Sequence, residues 1–495
     1  MSSALYYAIG YYVLVFLGTE IYLRGKVKNI EEFQGKNALG WVPVALGLTL
    51  IPLGSGHTMS LWEASAGMGA SVLWWAMIVG GIFLPIMMMW LGPWLRQMQV
   101  ETFPEAMEKL FGVEMRYLQG CTNVFTWSGI AMAETLATAA AIYGLTGGQL
   151  AYSPWCILAA FLLIMAYVIF GGVLQYSFVS TINAVVMILG SYLALFMVGG
   201  WITAHAMGWQ GVIDFYASQG QMWKFGVFKI DAPLIFQMII PVFVLHVSAA
   251  AVNQGTYIPM LAARTDADCR KGVFACAGIN GISAFPWVIM GLVAMSLPAI
   301  AKVGPKLSVI ELALKTLPTP IIGLLMVCLM AATLSTGASV MIGNSTIIVN
   351  DVLKRAMFPK MTDATRMKLM RPMIIICGII ACVPAFFVPI IFPVFLWCFS
   401  FGIPIFVVYF IGMVWKRSKT AAWITVLVTF AVNMIWTFAT PSWATGPLAI
   451  NMYPVTICSI VLGIVTNLVL PGEVGWRRSK EHKKLVAPAF SADQA

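Results

Sequence analysis

The sequence predicts an all-α membrane protein with about thirteen transmembrane helices, and three observations lead to this fold class. Hydrophobic residues make up 60% of the 495 residues and charged residues only 10%, whereas soluble globular proteins contain roughly 25% charged residues. Thirteen apolar runs are long enough to cross about 30 Å of hydrocarbon. The basic residues are also distributed unevenly between the segments that connect these runs.

The thirteen apolar runs follow one another without an interval long enough for a soluble domain. Their approximate centres are Val13, Leu53, Ile82, Ala131, Leu162, Ile188, Phe243, Val288, Leu334, Ile379, Ile405, Val428 and Val461. The first run, residues 6–21, has neither basic residues before it nor a small-residue cleavage site after it. We therefore expect a retained helix there and not a signal peptide.

The basic residues predict the orientation of the chain. With the N-terminus outside, 24 of the 29 lysines and arginines face the cytoplasm, and the other five lie in the two longest outer loops. These five are Lys224, Lys229, Lys302, Lys306 and Lys315. Such an excess of basic residues is typical of cytoplasmic loops. We predict a multi-pass protein of the cell (inner) membrane with a cytoplasmic C-terminus, whose net charge of +10 reflects its place in the lipid bilayer and not nucleic-acid binding.

Helices 2 to 6 and 7 to 11 form two sets of five, and because five is odd the two sets have inverted orientations. Each set begins with an interrupted helix: residues 52–57 (PLGSGH) interrupt helix 2, and residues 241–246 and then 253–255 interrupt helix 7. Paired broken helices indicate a substrate site near the bilayer midplane. The predicted segments are 1–40 (first helix and cytoplasmic loop), 41–206 (first repeat), 207–232 (extracellular loop), 233–416 (second repeat), 417–472 (two further helices) and 473–495 (basic cytoplasmic tail).

Helix 9 carries a row of small and hydroxyl side chains through its apolar middle. Ala332, Ser335, Thr336 and Ser339 recur at the spacing i, i+3, i+4 and i+7, so they share one face. Such hydroxyls either bond to their own helix and pack against neighbouring helices, or they bind a dehydrated cation. The segment alone leaves both interpretations open.

Several motifs resemble the sodium/solute symporter family. Residues 318–351, with Gly323, the AATLST core and the NST…ND ending, are similar to the most characteristic helix of that family. Further matching motifs occur in the same order as in the family, and the resemblance covers roughly residues 30–440. They are TFPE at 102–105 followed by Phe111-Gly112, Gly171-Gly172, QGTYIPMLAAR at 254–264, and Trp415-Lys416-Arg417.

This resemblance implies a LeuT-like 5+5 inverted repeat with one helix before it and two after it, and solute uptake driven by sodium without a further cofactor. Carried over to this sequence, the sodium site would use the hydroxyls of Ser335 and Thr336 and backbone carbonyls. The carbonyls are those of Ala332, Leu50 and Leu53. Where the family usually has Thr-Asp in helix 6, this sequence has Val179-Ser180, and Asn183 stands where glutamine is common. The missing carboxylate favours one sodium ion per cycle.

The candidate solute residues are polar or aromatic side chains within the membrane spans, near the two interrupted helices and in helix 4. They are His57, Trp62, Glu63, Glu134, His246 and Gln254. We expect no lysine or arginine at the depth of Glu63 and Glu134, so each is either neutral or meets a cation from outside the protein. Each has a structural alternative: an outer-end position for Glu63, helix packing for Glu134, an interior histidine for His246, and a lipid-facing surface for Trp62.

The sequence contains no HExxH, no GxSxG and no phosphate-binding loop, so we expect a transporter and not an enzyme. Without an interior lysine or arginine, a small nitrogen-containing polar solute is favoured, because Glu63 and aromatic faces bind such groups. A monocarboxylate held by helix N-termini is the alternative. A proton-coupled form of the same transporter is a further alternative, since His57, Glu63 and Glu134 can carry protons.

Overall fold

The computed structural model describes residues 3–23, 38–51, 54–148, 154–168, 172–205, 208–228, 234–387, 397–480 and 482, and nearly all of these residues are helical. The helices in chain order are α1 (Ser3–Leu23), α2 (Trp41–Leu50), α3 (Ser55–Met68), α4 (residues 73–97), α5 (Phe103–Phe111), α6 (Val113–Leu145), α7 (Pro154–Val168), α8 (Gly172–Ala204), α9 (Gly208–Ser218), α10 (Ile235–Val252), α11 (Gln254–Leu261), α12 (Asp266–Ser283), α13 (Phe285–Ser296), α14 (Pro298–Ala301), α15 (Pro305–Thr316), α16 (Thr319–Met357), α17 (Asp363–Ala385), α18 (Gly402–Val414), α19 (Lys419–Phe438) and α20 (Met452–Val469).

Several of these helices contain turns of other types. Two π-helical turns, Val79–Phe83 and Met87–Leu91, lie within α4, and the last ten residues of α16, Ile348–Met357, are also π-helical. Two-residue strands, β1 (Lys416–Arg417) and β2 (Glu473–Val474), pair antiparallel after α18 and α20. They hold the segment after the last helix against the end of α18.

Nine helices in the described ranges are long and apolar enough to cross a membrane. Twelve of the thirteen predicted centres fall within helices, and the thirteenth, Leu53, lies outside the described residues. The total of thirteen spans stays a prediction. The apolar window of α16 is 89% buried, whereas those of α8, α17 and α19 are 33% buried. The hydroxyl-bearing helix is therefore the centre of the bundle, and the other three form part of its periphery.

A break is present near each of the two predicted positions, but the prediction for residues 241–246 was wrong. These residues are helical, because the π-helical turn Ile235–Ile239 just before Pro241 accommodates its missing N–H. The helix α2 ends at Leu50, and Gly54 has an extended conformation with ψ 165° before α3 begins at Ser55. The second break is at Asn253, whose φ of −86° and ψ of 128° separate α10 from α11. The Asn253 side chain accepts a hydrogen bond from Gly255 N at 2.9 Å and so caps α11. At each break, backbone groups of the described residues bond to side chains of other helices: the Leu50 carbonyl accepts from Thr336, and Gln254 N donates to Asn123 Oδ1.

Small residues allow the broken helices to approach α16 closely. A Cβ atom added to Gly343 would lie 3.3 Å from Gly255 N, and one added to Gly255 would lie 3.5 Å from the carbonyl oxygen of Ser339. The start of α11 therefore lies backbone to backbone against α16. The start of α3 approaches the same helix at Gly54, beside Thr336.

An ion-pair network joins α5, α6 and α16 at the end of the bundle that is predicted to be cytoplasmic. Arg116 contacts Asp351 at 2.5 Å and Glu108 at 2.6 Å, and Glu108 also pairs with Arg355. Thr102 Oγ1 donates to Asp351 at 3.0 Å. Burial acts to raise the pKa of Glu108, but hydrogen bonds from Arg355 and Arg116 outweigh it and lower that pKa. The network therefore holds the short helix α5 against the ends of two long helices.

Candidate cation and solute site

The break between α2 and α3 meets the hydroxyl face of α16. Thr336 Oγ1 donates a hydrogen bond to the carbonyl oxygen of Leu50 at 2.5 Å. Ala332, Ser335 and Thr336 are all buried. The structure thus brings together two of the predicted sodium ligands, while a third, Leu53, lies outside the described residues.

Ser335 has a different partner from that of its neighbour Thr336. The Asn183 amide on α8 donates to Ser335 Oγ at 3.3 Å and to the Ala331 carbonyl at 3.1 Å. The Tyr11 hydroxyl on α1 in turn donates to Asn183 Oδ1 at 2.8 Å. A chain of hydrogen bonds therefore connects the first helix to a candidate sodium ligand.

Glu134 lies beside Thr336 at the break. Its Oε2 accepts a hydrogen bond from Gly56 N at 3.2 Å, near the start of α3. A Cβ atom built on Gly54 would lie 2.1 Å from Glu134 Oε1 and 2.6 Å from Thr336 Oγ1. The carboxylate and the hydroxyl therefore border the same glycine. The Glu134 side chain is only 1% exposed.

A cavity extends from this break between α3, α4, α6 and α10. Its volume is about 30 Å³, counted as the space open to the centre of a water molecule, which suffices for about two waters. It is lined by Leu48, Ile51, Gly54, His57, Phe83, Leu84, Trp127, Ile130, Glu134, His246, Ala250, Thr256 and Phe399. These thirteen residues include two histidines, one carboxylate and three aromatic rings, but no lysine or arginine.

The two histidines approach the cavity from different helices, His57 from α3 and His246 from α10. Their rings both pack edge-on against Trp75, with centroid distances of 4.4 Å for His57 and 6.2 Å for His246. His246 Nδ1 lies 3.0 Å from the Val242 carbonyl. His57 Nε2 is buried and has no hydrogen-bond partner among the described residues. It is therefore a polar group suited to a ligand in the cavity.

Three of the predicted solute residues do not line this cavity. Trp62 Nε1 donates a hydrogen bond to the Lys306 carbonyl at 3.1 Å. The half-buried Glu63 is close enough to the Lys306 ammonium group to interact with it electrostatically. Burial lowers the pKa of Lys306, and Glu63 opposes that shift. A lysine therefore accompanies Glu63, contrary to the sequence-based expectation.

Gln254 lies at the other end of the break in α10–α11. Its Oε1 accepts from Phe103 N at 2.8 Å, and its Nε2 donates to the Glu101 carbonyl at 3.2 Å. The side chain thus holds the segment before α5. This position places Gln254 beside the network predicted to be cytoplasmic and not in the cavity.

Sequence reasoning missed other members of the site. Trp127 and Ile130 line the cavity together with Glu134 because they precede it by seven and four residues on α6, so helical spacing from Glu134 identifies them. Phe83, Thr256 and Phe399 come from three other segments, and nothing in their local sequence indicates a shared cavity. The sequence analysis named Asn183 only because the family commonly has glutamine at that position, and it did not predict the contact with Ser335.

Comparisons with known proteins agree with this architecture. A family model described as the sodium:solute symporter family matches residues 33–428. A sodium/glucose cotransporter of Vibrio parahaemolyticus is 24% identical over 458 residues, which cover 83% of this chain and 80% of that protein.

Solved transporters share the fold. A Na⁺-coupled sialic acid symporter, substrate-bound and outward-open, has a TM-score of 0.79 at 16% identity, with 95% of this chain and 98% of that chain covered. Mhp1, a nucleobase-cation-symport-1 family transporter with bound bromovinylhydantoin, has a TM-score of 0.57 at 12% identity, covering 92% and 98% of the two chains. MhsT in complex with L-phenylalanine has a TM-score of 0.54 at 13% identity, covering 86% and 98%.

Proposed function

The chain belongs to the sodium:solute symporter family, and from that premise we propose that it imports a small nitrogen-containing polar solute by alternating access. Family membership makes it a sodium-coupled membrane transporter with a LeuT-like fold and not an enzyme. The proposal adds the class of solute and the residues that bind it. It also adds the orientation, with the N-terminus outside and the C-terminus in the cytoplasm.

The proposed sodium site consists of the Ser335 and Thr336 hydroxyls and the carbonyls of Leu50, Leu53 and Ala332. The hydrogen bond from Thr336 to Leu50 supports it, because a bound ion needs these two oxygens close together. A sodium ion gives up its hydration only where several oxygens replace the water. The break after α2 and the adjacent hydroxyls supply such oxygens.

The single observation that carries the solute proposal is the composition of the cavity lining. His57, His246 and three aromatic rings surround it, and none of its thirteen residues is a lysine or arginine. Imidazoles both donate and accept hydrogen bonds, and aromatic faces attract cationic groups. A nitrogen-containing solute fits these groups better than a monocarboxylate, because the Gly56 N–H at the helix start is already engaged by Glu134.

A proton-coupled cycle is the second candidate. His57, His246 and Glu134 are ionisable side chains that line the cavity, and such residues within a membrane can carry protons in transporters. Measurements of solute uptake at fixed pH distinguish sodium coupling from proton coupling. The sodium proposal requires uptake to depend on the external sodium concentration when potassium replaces sodium at constant ionic strength.

The cavity has room for about two waters, so a solute enters only after the surrounding helices move. This agrees with alternating access. The solute is identified by screening the purified protein for thermal stabilisation against a panel of amines, quaternary ammonium compounds, amides and monocarboxylates, with and without sodium. Compounds that stabilise it are then tested for uptake into liposomes under an imposed sodium gradient. Stabilisation by monocarboxylates alone would contradict the proposed solute class.

The variant His57→Gln tests the cavity as the solute site. We expect solute affinity at saturating sodium to fall about tenfold, since losing one buried hydrogen bond costs on the order of 1 to 3 kcal/mol. The matched control is His205→Gln, at an exposed residue directly after α8, where affinity should stay within twofold. Isothermal binding measurements on both variants provide the comparison. Equal affinities in the two variants would remove His57 from the site.

A further inference from the structure

The position of Glu134 points to the cation and not to the solute. Of the predicted solute residues, it alone borders both the break after α2 and a proposed sodium ligand. Its Oε1 and the Thr336 hydroxyl border Gly54 together, and its Oε2 accepts from Gly56 N at 3.2 Å. Thr336 also bonds to the Leu50 carbonyl. A carboxylate oxygen therefore joins the hydroxyl and carbonyl oxygens proposed for sodium.

We propose that Glu134 belongs to the cation site, where its carboxylate provides a fixed negative charge for the coupling ion. This inference rests on the proposed sodium-coupled function and reassigns Glu134 from the solute to the ion. The remaining proposed ligands are neutral hydroxyl and carbonyl oxygens. With Glu134 the bound sodium ion is neutralised locally, whereas the neutral ligand set alone leaves its full charge within the membrane.

The surroundings of Glu134 support a role in which a bound sodium ion helps to compensate its negative charge. The carboxylate is almost completely buried, and a buried charge is costly unless opposite charge or hydrogen bonds compensate it. The Gly56 N–H, in the first turn of α3, supplies part of that compensation. A sodium ion beside Thr336 adds an opposite charge next to the carboxylate. It then links α6, which carries Glu134, to the break and to α16.

Titration with pH alone does not assign this role. His57 and His246 are also ionisable side chains and line the same cavity. The experiment therefore uses charge-neutral variants at one pH. Full-length protein is purified in sodium-free buffer, and sodium chloride replaces choline chloride at constant ionic strength. Thermal stabilisation reports sodium binding, and solute binding is measured separately at saturating sodium.

We expect Glu134→Gln to raise the sodium concentration for half-maximal stabilisation at least tenfold, while solute affinity at saturating sodium changes less than threefold. Glu114→Gln is the matched control, since it makes the same substitution on the same helix, where Glu114 pairs with Lys419 at the exposed end. Its sodium response should equal that of the wild type. Reduced solute affinity with unchanged sodium affinity in Glu134→Gln would overturn the inference.

Two further variants separate the possible failures. If Thr336→Ala loses sodium affinity and Glu134→Gln keeps it, the sodium site stands and only the role of Glu134 fails. If the wild type shows no sodium response at all, the proposed function fails and this inference with it. If Glu134→Gln does not fold, Glu134→Asp keeps the charge but shortens the side chain. The inference then requires sodium affinity to fall more than solute affinity, and an unchanged sodium affinity would overturn it.

Discussion

Ser335 and Thr336 are adjacent in sequence, but their hydroxyls serve different neighbours. Thr336 donates to the Leu50 carbonyl at the break, and Ser335 receives the Asn183 amide from α8. We expect Ser335→Ala and Thr336→Ala each to raise the sodium concentration for half-maximal uptake about ten- to a hundredfold. This range corresponds to a loss of about 1 to 3 kcal/mol for one polar contact.

Uptake as a function of external sodium measures this effect, with membrane insertion checked by immunoblot. Ser339→Ala is the control, because Ser339 Oγ donates to the Thr336 carbonyl of its own helix and belongs to no proposed ligand set. It should leave sodium activation within twofold of the wild type. Unchanged activation in both Ser335→Ala and Thr336→Ala would assign those hydroxyls to helix packing.

Glu63 and Glu134 show what single residues reveal from sequence. Each is an acid within an apolar run, so sequence identifies both as candidates. Their surroundings distinguish them, because Glu63 lies near Lys306 and Glu134 borders Gly54 and Thr336. The partners of Glu134 are distant in the chain, and the rotation of one helix against another is not encoded in local composition. The hydroxyl face of α16 was easier to find because four of its residues repeat at helical spacing, and the family resemblance then implied which of these residues bind sodium.

At the scale of elements, the start of α3 depends on a glycine. A Cβ atom at Gly54 would lie 2.1 Å from Glu134 Oε1 and 2.6 Å from Thr336 Oγ1. Both of these atoms lie at the ends of side chains, so an added methyl group displaces the Glu134 and Thr336 side chains and leaves the backbone in place. We expect Gly54→Ala to insert normally but to lower sodium-dependent uptake at least tenfold, because overpacking of about 1 to 3 kcal/mol falls on the site itself.

Gly67→Ala is the matched control for this prediction. Gly67 lies on the same helix, and a Cβ atom added there meets nothing within 4 Å. Uptake and surface expression of the two variants are compared in the same cells. Equal uptake would contradict the close approach of α3 to Glu134 and Thr336.

The interruptions of α2–α3 and α10–α11 were predictable because glycine and asparagine weaken a helix locally, whereas Pro241, which was also predicted to interrupt a helix, lies within α10. The role of α1 was not predictable from the sequence. Sequence placed it outside the repeats, whereas the structure connects its Tyr11 to Asn183 and thence to Ser335. The π-helical turns of α4 were also unexpected, because no residue pattern specifies where an extra residue enters a helical turn.

At the scale of the whole molecule, basic residues collect at two opposite ends. Arg116, Arg355 and Arg366 lie in ion-pair networks at one end. Lys224 and Lys306 lie at the other, where Lys224 donates to the Ala66 carbonyl at 2.5 Å and Lys306 approaches Glu63. Burial lowers the pKa of both lysines. The separation of the predicted inner and outer sets therefore agrees with the positions of these side chains.

Fold class and family were predictable because hydropathy and charge act over whole segments. Apolar runs identify spans without knowledge of their neighbours, and the motifs of α16 indicate the family. The cavity was only partly predictable, because Phe83, Thr256 and Phe399 meet only after four or more helices have packed together. Packing between distant segments, and not local sequence preference, decides which faces of those helices line the cavity.

The last prediction concerns the orientation in the membrane. One helix that is long and apolar enough to cross a membrane, α16, separates Lys306 from Lys360, so we expect the two lysines on opposite sides of the bilayer. Because cytoplasmic segments carry the excess of lysine and arginine, we expect Lys360 inside and Lys306 outside. Chains truncated after either residue are fused to a fluorescent protein that matures in the cytoplasm, or to a phosphatase that is active outside. Fluorescence should appear at Lys360 and phosphatase activity at Lys306, with expression matched by immunoblot. The reverse pattern would invert the membrane topology and place the Arg116–Asp351 network at the outer surface.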